Sequence, residues 1–159
     1  MLSALIYFSA LTLLVLGSPT TKPVDEAARK ELKADELYDL IDKPVQDLLA
    51  ELRVDPKTRV EYQKVMSVLA DLKLSTEERK RLLIDMYPDD TYEIAEAIPL
   101  YETIGTELIK NYFHAKPDKG AEFYKRCMLL LGEESYIAAD KTVRMEKLKD
   151  VIDEYEQFL

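Results

Sequence analysis

Several chemically useful residue types are almost missing from this chain of 159 residues, which has one Cys, one His and no Trp. A single Cys cannot form an internal disulfide, which excludes the small cross-linked folds of many secreted proteins. The net charge of −9 leaves few cations to neutralise phosphates and argues against nucleic-acid binding. The length fits one ordinary domain. The sequence therefore predicts a disulfide-free domain that is stabilised by side-chain packing.

Residues and motifs that commonly act in catalysis are equally scarce. The only histidine, His114, lies near a predicted helix end, and Cys127 lies among apolar residues, where a thiol is usually buried and inert. Outside the first 17 residues we find no Gly-x-Ser-x-Gly, no Gly-rich phosphate loop, no His-Glu-x-x-His and no EF-hand loop. We therefore predict a protein that is not an enzyme, with no catalytic residue, no cofactor and no metal site.

The N-terminus resembles a secretory signal peptide in its composition. Residues 2–16 form an uncharged apolar run, and Val15 and Gly17 occupy the −3 and −1 positions of a small-residue cleavage site. The run is shorter than the roughly 18 residues of a membrane-spanning helix, and no other stretch could span a bilayer. We predict a signal peptide over 1–17, a disordered lead over 18–23 that is rich in Pro and Thr, and a secreted, extracellular domain over 24–159.

Apolar residues recur at helical spacing through that domain, which predicts an all-α fold: a single-domain bundle of six or seven short amphipathic helices. Pro44 predicts a kink or break near Asp42 in the first helix. Local start signals predict helices after Asp55-Pro56, after the Ser75/Glu78 capping box, and after Asp90 with Glu93. The first stripe contains Leu37, Leu40, Ile41, Val45, Leu48, Leu49 and Leu52, and the last contains Leu148, Val151, Ile152, Tyr155 and Leu159.

The two most apolar helices are predicted over 100–115, after an interruption at Pro99, and over 121–131. Residues 116–120 (Lys-Pro-Asp-Lys-Gly) have the composition of a turn, so these helices should pack as an antiparallel hairpin. Gly132 suits the position just past the second helix. Gly105 lies inside the first helix, where Gly costs ~1 kcal/mol relative to Ala. Either another helix crosses closely there, which is the commoner cause, or a ligand needs the space.

The hairpin supplies the candidate ligand site. Tyrosines lie on or beside several apolar stripes, which indicates either packing at the core margin or a pocket with apolar walls and polar ends. The predicted ligand-binding residues are Tyr101, Ile104, Gly105, Leu108, Tyr112, Phe123, Cys127 and Leu131. Cations near the open end would pair with a ligand carboxylate, and the predicted headgroup residues are Lys110, Lys125 and Arg126.

Charge is distributed in blocks. Residues 82–109 contain seven carboxylates and no Lys or Arg, whereas residues 110–126 carry a net positive charge. These blocks indicate either ordinary solvated faces or an acidic face that binds a basic partner. A shorter basic cluster, Arg79-Lys80-Arg81, is too small for nucleic-acid binding and is predicted to lie on the surface.

Two functions remain open on the sequence alone. The first is a secreted, non-enzymatic helical binding protein that carries a small hydrophobic or amphipathic ligand such as a fatty acid. The second is a secreted helical interaction protein, of an effector-like or structural kind, without a ligand cavity. It would bind a basic protein partner through the acidic face or the C-terminal amphipathic helix. Both are compatible with the absence of catalytic motifs.

The signal-peptide prediction has a direct test. We expect the chain exported by a secreting host to begin at Ser18, because Gly17 provides the small residue that signal peptidase requires. Mass spectrometry of the secreted protein would show the loss of residues 1–17, and a Gly17→Arg variant should retain them. Secreted wild-type protein that still carries the apolar run would contradict the prediction.

Overall fold

The computed structural model describes residues 31–46, 49–50, 52 and 55–159. This part of the chain contains seven α-helices and no strand, which confirms the all-α prediction. The predicted signal peptide (1–17), the lead (18–23) and Leu48 lie outside the described residues. The helices are α1 (Ala34–Leu37), α2 (Pro56–Leu69), α3 (Thr76–Met86), α4 (Thr91–Tyr112), α5 (Pro117–Leu130), α6 (Glu134–Ile137) and α7 (Lys141–Tyr155).

Two helix starts follow the local signals in the sequence. The Asp55 carboxylate accepts a hydrogen bond from the backbone N–H of Lys57 at 3.0 Å, which caps α2. At α3, the Ser75 hydroxyl accepts from the Glu78 N–H and the Glu78 carboxylate accepts from the Ser75 N–H. Both caps satisfy backbone donors that have no partner inside the helix. These two predictions are confirmed.

The segment after α1 changes its helical form near Pro44. A π-helical turn covers Tyr38–Asp42 and a 3-10 turn covers Lys43–Val45. Because proline has no N–H to donate four residues back, the regular α-helical ladder cannot continue through it. The predicted irregularity near Asp42 is therefore present as a change of helix type.

The predicted interruption at Pro99 is wrong. Helix α4 runs continuously through Pro99, whose side chain is exposed, and the Thr103 hydroxyl donates to the Pro99 carbonyl at 2.8 Å. Buried residues such as Ile94 and Leu108 flank the proline on the core side of the same helix. Packing of this apolar face outweighs the loss of one backbone hydrogen bond. The helix does begin directly after Asp90, as predicted, but the predicted cap is wrong, because the Asp90 side chain accepts no hydrogen bond from a backbone N–H of the helix.

The connection between α4 and α5 is shorter than predicted. The turn assigned to residues 116–120 instead belongs largely to α5, which begins at Pro117. Proline is favoured at the first position of a helix because its missing N–H would be unpaired there anyway. The two helices do pack together as an antiparallel pair, since Tyr124 of α5 contacts Tyr101 of α4 and Gly120 lies against Phe113.

Helix α5 occupies the centre of the packing. It packs against α2, α4 and α7, and α4 also packs against α3. The C-terminal carbonyls of α5 are satisfied by side chains of α2: the Tyr62 hydroxyl donates to Met128 O at 3.0 Å and the Gln63 amide donates to Leu129 O at 2.9 Å. Gly132 follows α5 as predicted, and a side chain there would collide with Tyr62 and Gln63.

A buried polar cluster joins the N-terminal segment to the C-terminal helices. Asp42 is fully buried, accepts a hydrogen bond from the Tyr136 hydroxyl at 2.5 Å and lies 3.7 Å from the Arg144 guanidinium. Arg144 is buried as well and donates to the carbonyls of Tyr136 at 3.1 Å and Ile137 at 2.9 Å. Because removing one partner would leave an uncompensated buried charge, the cluster holds residues 38–42 against α6 and α7.

Four of the tyrosines lie deeper than a core margin, whereas Tyr112 and Tyr155 are only partly buried. Tyr62, Tyr101, Tyr124 and Tyr136 are at most 1 % exposed. Burial raises the pKa of Tyr62, Tyr124 and Tyr136 well above the usual value, and the raised pKa of Tyr136 also reflects its hydrogen bond to the Asp42 carboxylate. Burial likewise raises the pKa of Tyr112 to about 12. In the folded chain these hydroxyls therefore stay protonated at a pH where free tyrosine ionises.

This burial predicts alkaline unfolding. Above pH ~10 the unfolded chain releases tyrosine protons that the folded chain retains, so stability falls as the pH rises further. Each fully retained proton contributes a loss of about 1.4 kcal/mol per pH unit. We expect loss of the helical circular-dichroism signal to coincide with the rise of tyrosinate absorbance between pH ~10 and ~12. Complete ionisation of the tyrosines in a chain with undiminished helix content would contradict this account.

Candidate functional site

The predicted ligand-binding residues form part of the core between α4 and α5. Five lie on α4 (Tyr101, Ile104, Gly105, Leu108 and Tyr112), Phe123 and Cys127 lie on α5, and Leu131 follows it. Six of the eight are buried, while Ile104 and Tyr112 are partly buried at its edge. The structure therefore brings these residues together as packed neighbours, and ligand binding by them stays a prediction.

Gly105 marks the closest approach in this region. A Cβ atom at this position would lie 2.5 Å from Leu72 Cδ1 and 2.7 Å from the Tyr124 ring. The Tyr124 hydroxyl also donates to the Tyr101 carbonyl at 2.8 Å, one turn earlier on α4. Of the two explanations for this glycine, close packing is the one the contacts support, because protein atoms fill the space that a ligand would need.

The three predicted headgroup cations do not converge on one opening. Lys125 lies 3.0 Å from Asp71 in the loop after α2. Arg126 forms an ion pair with Glu154 on α7, and its second terminal nitrogen donates to that carboxylate at 2.8 Å. Lys110 is exposed near the end of α4. Two of the three cations are thus already paired with carboxylates of the chain itself.

The two nucleophile and base candidates lie in different environments. Cys127 is fully buried, and burial raises the pKa of its thiol, which keeps it protonated and unreactive. His114 is exposed in the connection between α4 and α5. Within the described residues, no group of three or more His, Cys, Asp or Glu side chains is placed to hold a metal ion. Among the same residues, no helix combines the length and apolar character needed to cross a bilayer.

A groove of about 460 Å³ opens between the start of α3 and the middle of α4. Its α4 wall consists of three residues that share one helix face (Glu102, Thr106 and Ile109), and its other wall consists of Leu72, Leu74, Ser75, Thr76 and Arg79. Two ion pairs hold the loop that carries Leu72 and Leu74 against α5. They are Asp71–Lys125 and Lys73–Glu122, each with an N–O distance of 3.0 Å. None of the predicted ligand residues lines this groove.

Arg79 is the candidate site residue that sequence reasoning missed, because it was expected on the surface with its two basic neighbours. Its side chain is only 2 % exposed. The guanidinium lies 3.3 Å from the Glu102 carboxylate, and its hydrogen bonds to Leu69 O and the Thr76 hydroxyl are both 3.5 Å long. Its Nε is buried without a hydrogen-bond partner. Arg79 precedes the buried Leu83 by one helical turn, which places the two residues on the same face of α3. This spacing is the sequence signal that could have indicated the burial of Arg79.

A second feature lies at the other end of α3. Five carboxylates surround the junction of α3 and α4, and we call them the acidic surface: Asp85, Asp89, Asp90, Glu93 and Glu96. None of them forms an ion pair with Lys, Arg or His in the part of the chain that the structure describes. Two large apolar side chains are exposed in the same segment, Met86 at 40 % and Tyr92 at 67 %.

No protein-family model, curated protein or solved structure matches this chain.

A single substitution distinguishes the two explanations for Gly105. If the glycine serves packing, Gly105→Ala should lower the free energy of unfolding by about 1–2 kcal/mol, because overpacking exceeds the ~1 kcal/mol gain in helix propensity. The measurement is chemical denaturation of the purified chain. The matched control, Lys110→Ala, alters an exposed residue of the same helix and should change stability little. A Gly105→Ala chain that gains the full propensity benefit would instead favour open space beside α4.

Proposed function

We propose that this chain is a non-enzymatic interaction protein whose acidic surface binds a basic protein partner. The observation that carries the proposal is the absence of any described cation paired with Asp85, Asp89, Asp90, Glu93 or Glu96, together with the exposure of Tyr92. Unpaired like charges raise the negative potential of a surface and attract a basic partner. An exposed aromatic ring within such a surface offers the apolar anchor that protein interfaces commonly use.

Stabilisation of the helices does not account for all of these charges. Asp89, Asp90 and Glu93 lie at the start of α4, where negative charge interacts favourably with the helix dipole. Asp85 lies in the last turn of α3, where negative charge is unfavourable and no basic residue compensates it. A carboxylate held at such a position is better explained by a partner than by the stability of its own helix.

The carrier hypothesis receives less support from the geometry. A ligand between α4 and α5 would need to displace Leu72 or Tyr124 from the backbone at Gly105, and it would compete with Asp71 and Glu154 for the cations Lys125 and Arg126. The carrier hypothesis would be favoured over the interaction hypothesis if a fatty acid co-purified with the chain and a fluorescent analogue displaced it in a one-to-one ratio.

The proposal includes export and a single helical domain. The apolar run at the N-terminus supports a signal peptide, and the recurring apolar stripes support one bundle of helices after residue 24. The lack of catalytic sequence motifs supports a role in binding rather than in catalysis. In this proposal the protein meets its basic partner outside the cell.

Because the chain contains no Trp, the fluorescence of a single introduced Trp reports on binding at the acidic surface. A Tyr92→Trp variant carries one indole at an exposed position within the segment that carries this surface. We expect an oligolysine peptide to change its fluorescence saturably at low salt, and the apparent affinity to fall at least ~10-fold near physiological ionic strength, because salt screens exposed charges.

Two variants of equal charge separate the local surface from the net charge of the chain. In the Tyr92→Trp background, neutralising Asp89, Asp90 and Glu93 should weaken peptide binding by at least ~10-fold. Neutralising Glu146, Asp150 and Glu156, which are exposed on or beside α7, should weaken it much less. Equal losses in the two variants would show that only net charge matters and would contradict a dedicated surface.

A further inference from the structure

The groove at the start of α3 combines features that the acidic surface lacks. It contains a buried cation, an accessible carboxylate and apolar walls within one concave space of about 460 Å³, a size within the range of small-molecule sites. It lies beside the first turn of α3, whereas the acidic surface begins at the last turn. A ligand at this second location would bind independently of the proposed protein partner.

The Arg79 guanidinium is incompletely coordinated. Arginine offers five N–H donors, yet here one nitrogen faces Glu102 at 3.3 Å, two hydrogen bonds are 3.5 Å long, and Nε has no partner. Burying a guanidinium without full hydrogen bonding is costly. A ligand carboxylate at the side of Arg79 that lines the groove would supply short, charge-assisted hydrogen bonds where the chain supplies weak ones.

Glu102 determines which ligands fit beside this cation. Its side chain is 41 % exposed, accepts a hydrogen bond from the Thr76 hydroxyl at 3.2 Å and lines the same groove. A simple anion drawn to Arg79 would meet the negative charge of Glu102, and a simple amine drawn to Glu102 would meet the positive charge of Arg79. A molecule that carries a negative and a positive group close together can pair the first with Arg79 and the second with Glu102. Neither group of the ligand is then left facing a like charge alone.

The remaining walls define the rest of the ligand. Leu72, Leu74 and Ile109 are partly buried and line the groove beside the charged pair. Contact with these side chains favours an apolar substituent, because each buried CH₂ contributes about 0.8 kcal/mol. Thr76 and Thr106 also line the groove, and each carries a hydroxyl that is able to form hydrogen bonds.

We propose that this groove binds a free α-amino acid with an apolar side chain, its carboxylate on Arg79, its ammonium group on Glu102, and its side chain against Leu72, Leu74 and Ile109. The ligand then adds short hydrogen bonds to a cation that the protein has buried but holds mainly through long ones. Because the ligand is zwitterionic, the local charge of the groove is the same before and after binding.

Four small probes test the chemistry of the wild-type chain by isothermal titration calorimetry. L-leucine carries both charges and the apolar side chain, isocaproate lacks only the amino group, isoamylamine lacks only the carboxylate, and glycine lacks the side chain. We expect saturable leucine binding with a Kd below ~1 mM and affinities at least ~10-fold weaker for each of the other three. Absence of leucine binding, or isocaproate or isoamylamine binding as tightly as leucine, would overturn the proposal.

A pair of surface variants tests the assignment to residues. Glu102→Gln removes the partner of the ammonium group and should weaken leucine binding at least ~10-fold, without weakening isocaproate binding, because the repulsion of the carboxylate is removed with it. Glu77→Gln removes the same charge from an exposed residue in the first turn of α3 that does not line the groove, and it should leave leucine affinity unchanged. Equal effects of the two variants would place the ligand elsewhere.

Arg79→Lys provides the complementary test of the carboxylate partner. Lysine keeps the charge but lacks the planar, multidentate donor set of arginine, so leucine affinity should fall while a melting curve reports whether the buried position still folds. If this variant unfolds, Glu102→Gln alone decides the proposal. Retained leucine affinity in a folded Arg79→Lys chain would contradict the role of the guanidinium.

Discussion

The close approach of Leu72 and Tyr124 to the backbone of α4 at Gly105 is the contact on which the arrangement of the α2–α5 region depends. Only a residue without a side chain allows both groups to reach this point. The Leu72 contact holds the loop after α2 against α4, and the Asp71–Lys125 ion pair fixes the same loop to α5. The loop in turn leads into α3, whose first turn then faces Glu102. The groove exists because these segments are held this close together.

No internal disulfide supports this arrangement, since the chain has one cysteine. The core contains several buried tyrosines, whose rings supply apolar contact and whose hydroxyls need partners. Tyr62 and Tyr124 donate to main-chain carbonyls of neighbouring helices, and Tyr136 donates to the buried Asp42 carboxylate. Such bonds form only in one relative placement of the helices, so they add geometric selectivity to a hydrophobic effect that is not directional.

Sequence reasoning succeeded where the deciding interactions are local. The caps at Asp55 and Ser75 lie within three residues of their partners, so a short window contains everything that determines them. It failed at Pro99 because continuation of α4 is decided by the core face on both sides of the proline, and these contacts come from distant helices. Arg79 was misplaced for the same reason: three consecutive cations predict a solvated surface, while the burial of the first depends on Leu69, Thr76 and Glu102 together. The α4–α5 pairing was predictable, but whether its interior is filled was not.

The two proposed sites use charge in opposite ways, and this allows them to operate independently. At the acidic surface like charges stand unpaired by any described cation, so the binding proposed there is long-ranged and sensitive to salt. In the groove Arg79 and Glu102 balance each other, so recognition depends on short-range geometry at two adjacent charges.

The rise along α3 from Arg79 to Asp85 is about 9 Å, which is close to one Debye length at physiological ionic strength, ~8 Å. The field of the acidic surface is therefore already weakened by solvent ions where the groove begins. Occupation of one site leaves the charge balance of the other nearly unchanged, and a basic partner on the acidic surface need not exclude a small zwitterion from the groove.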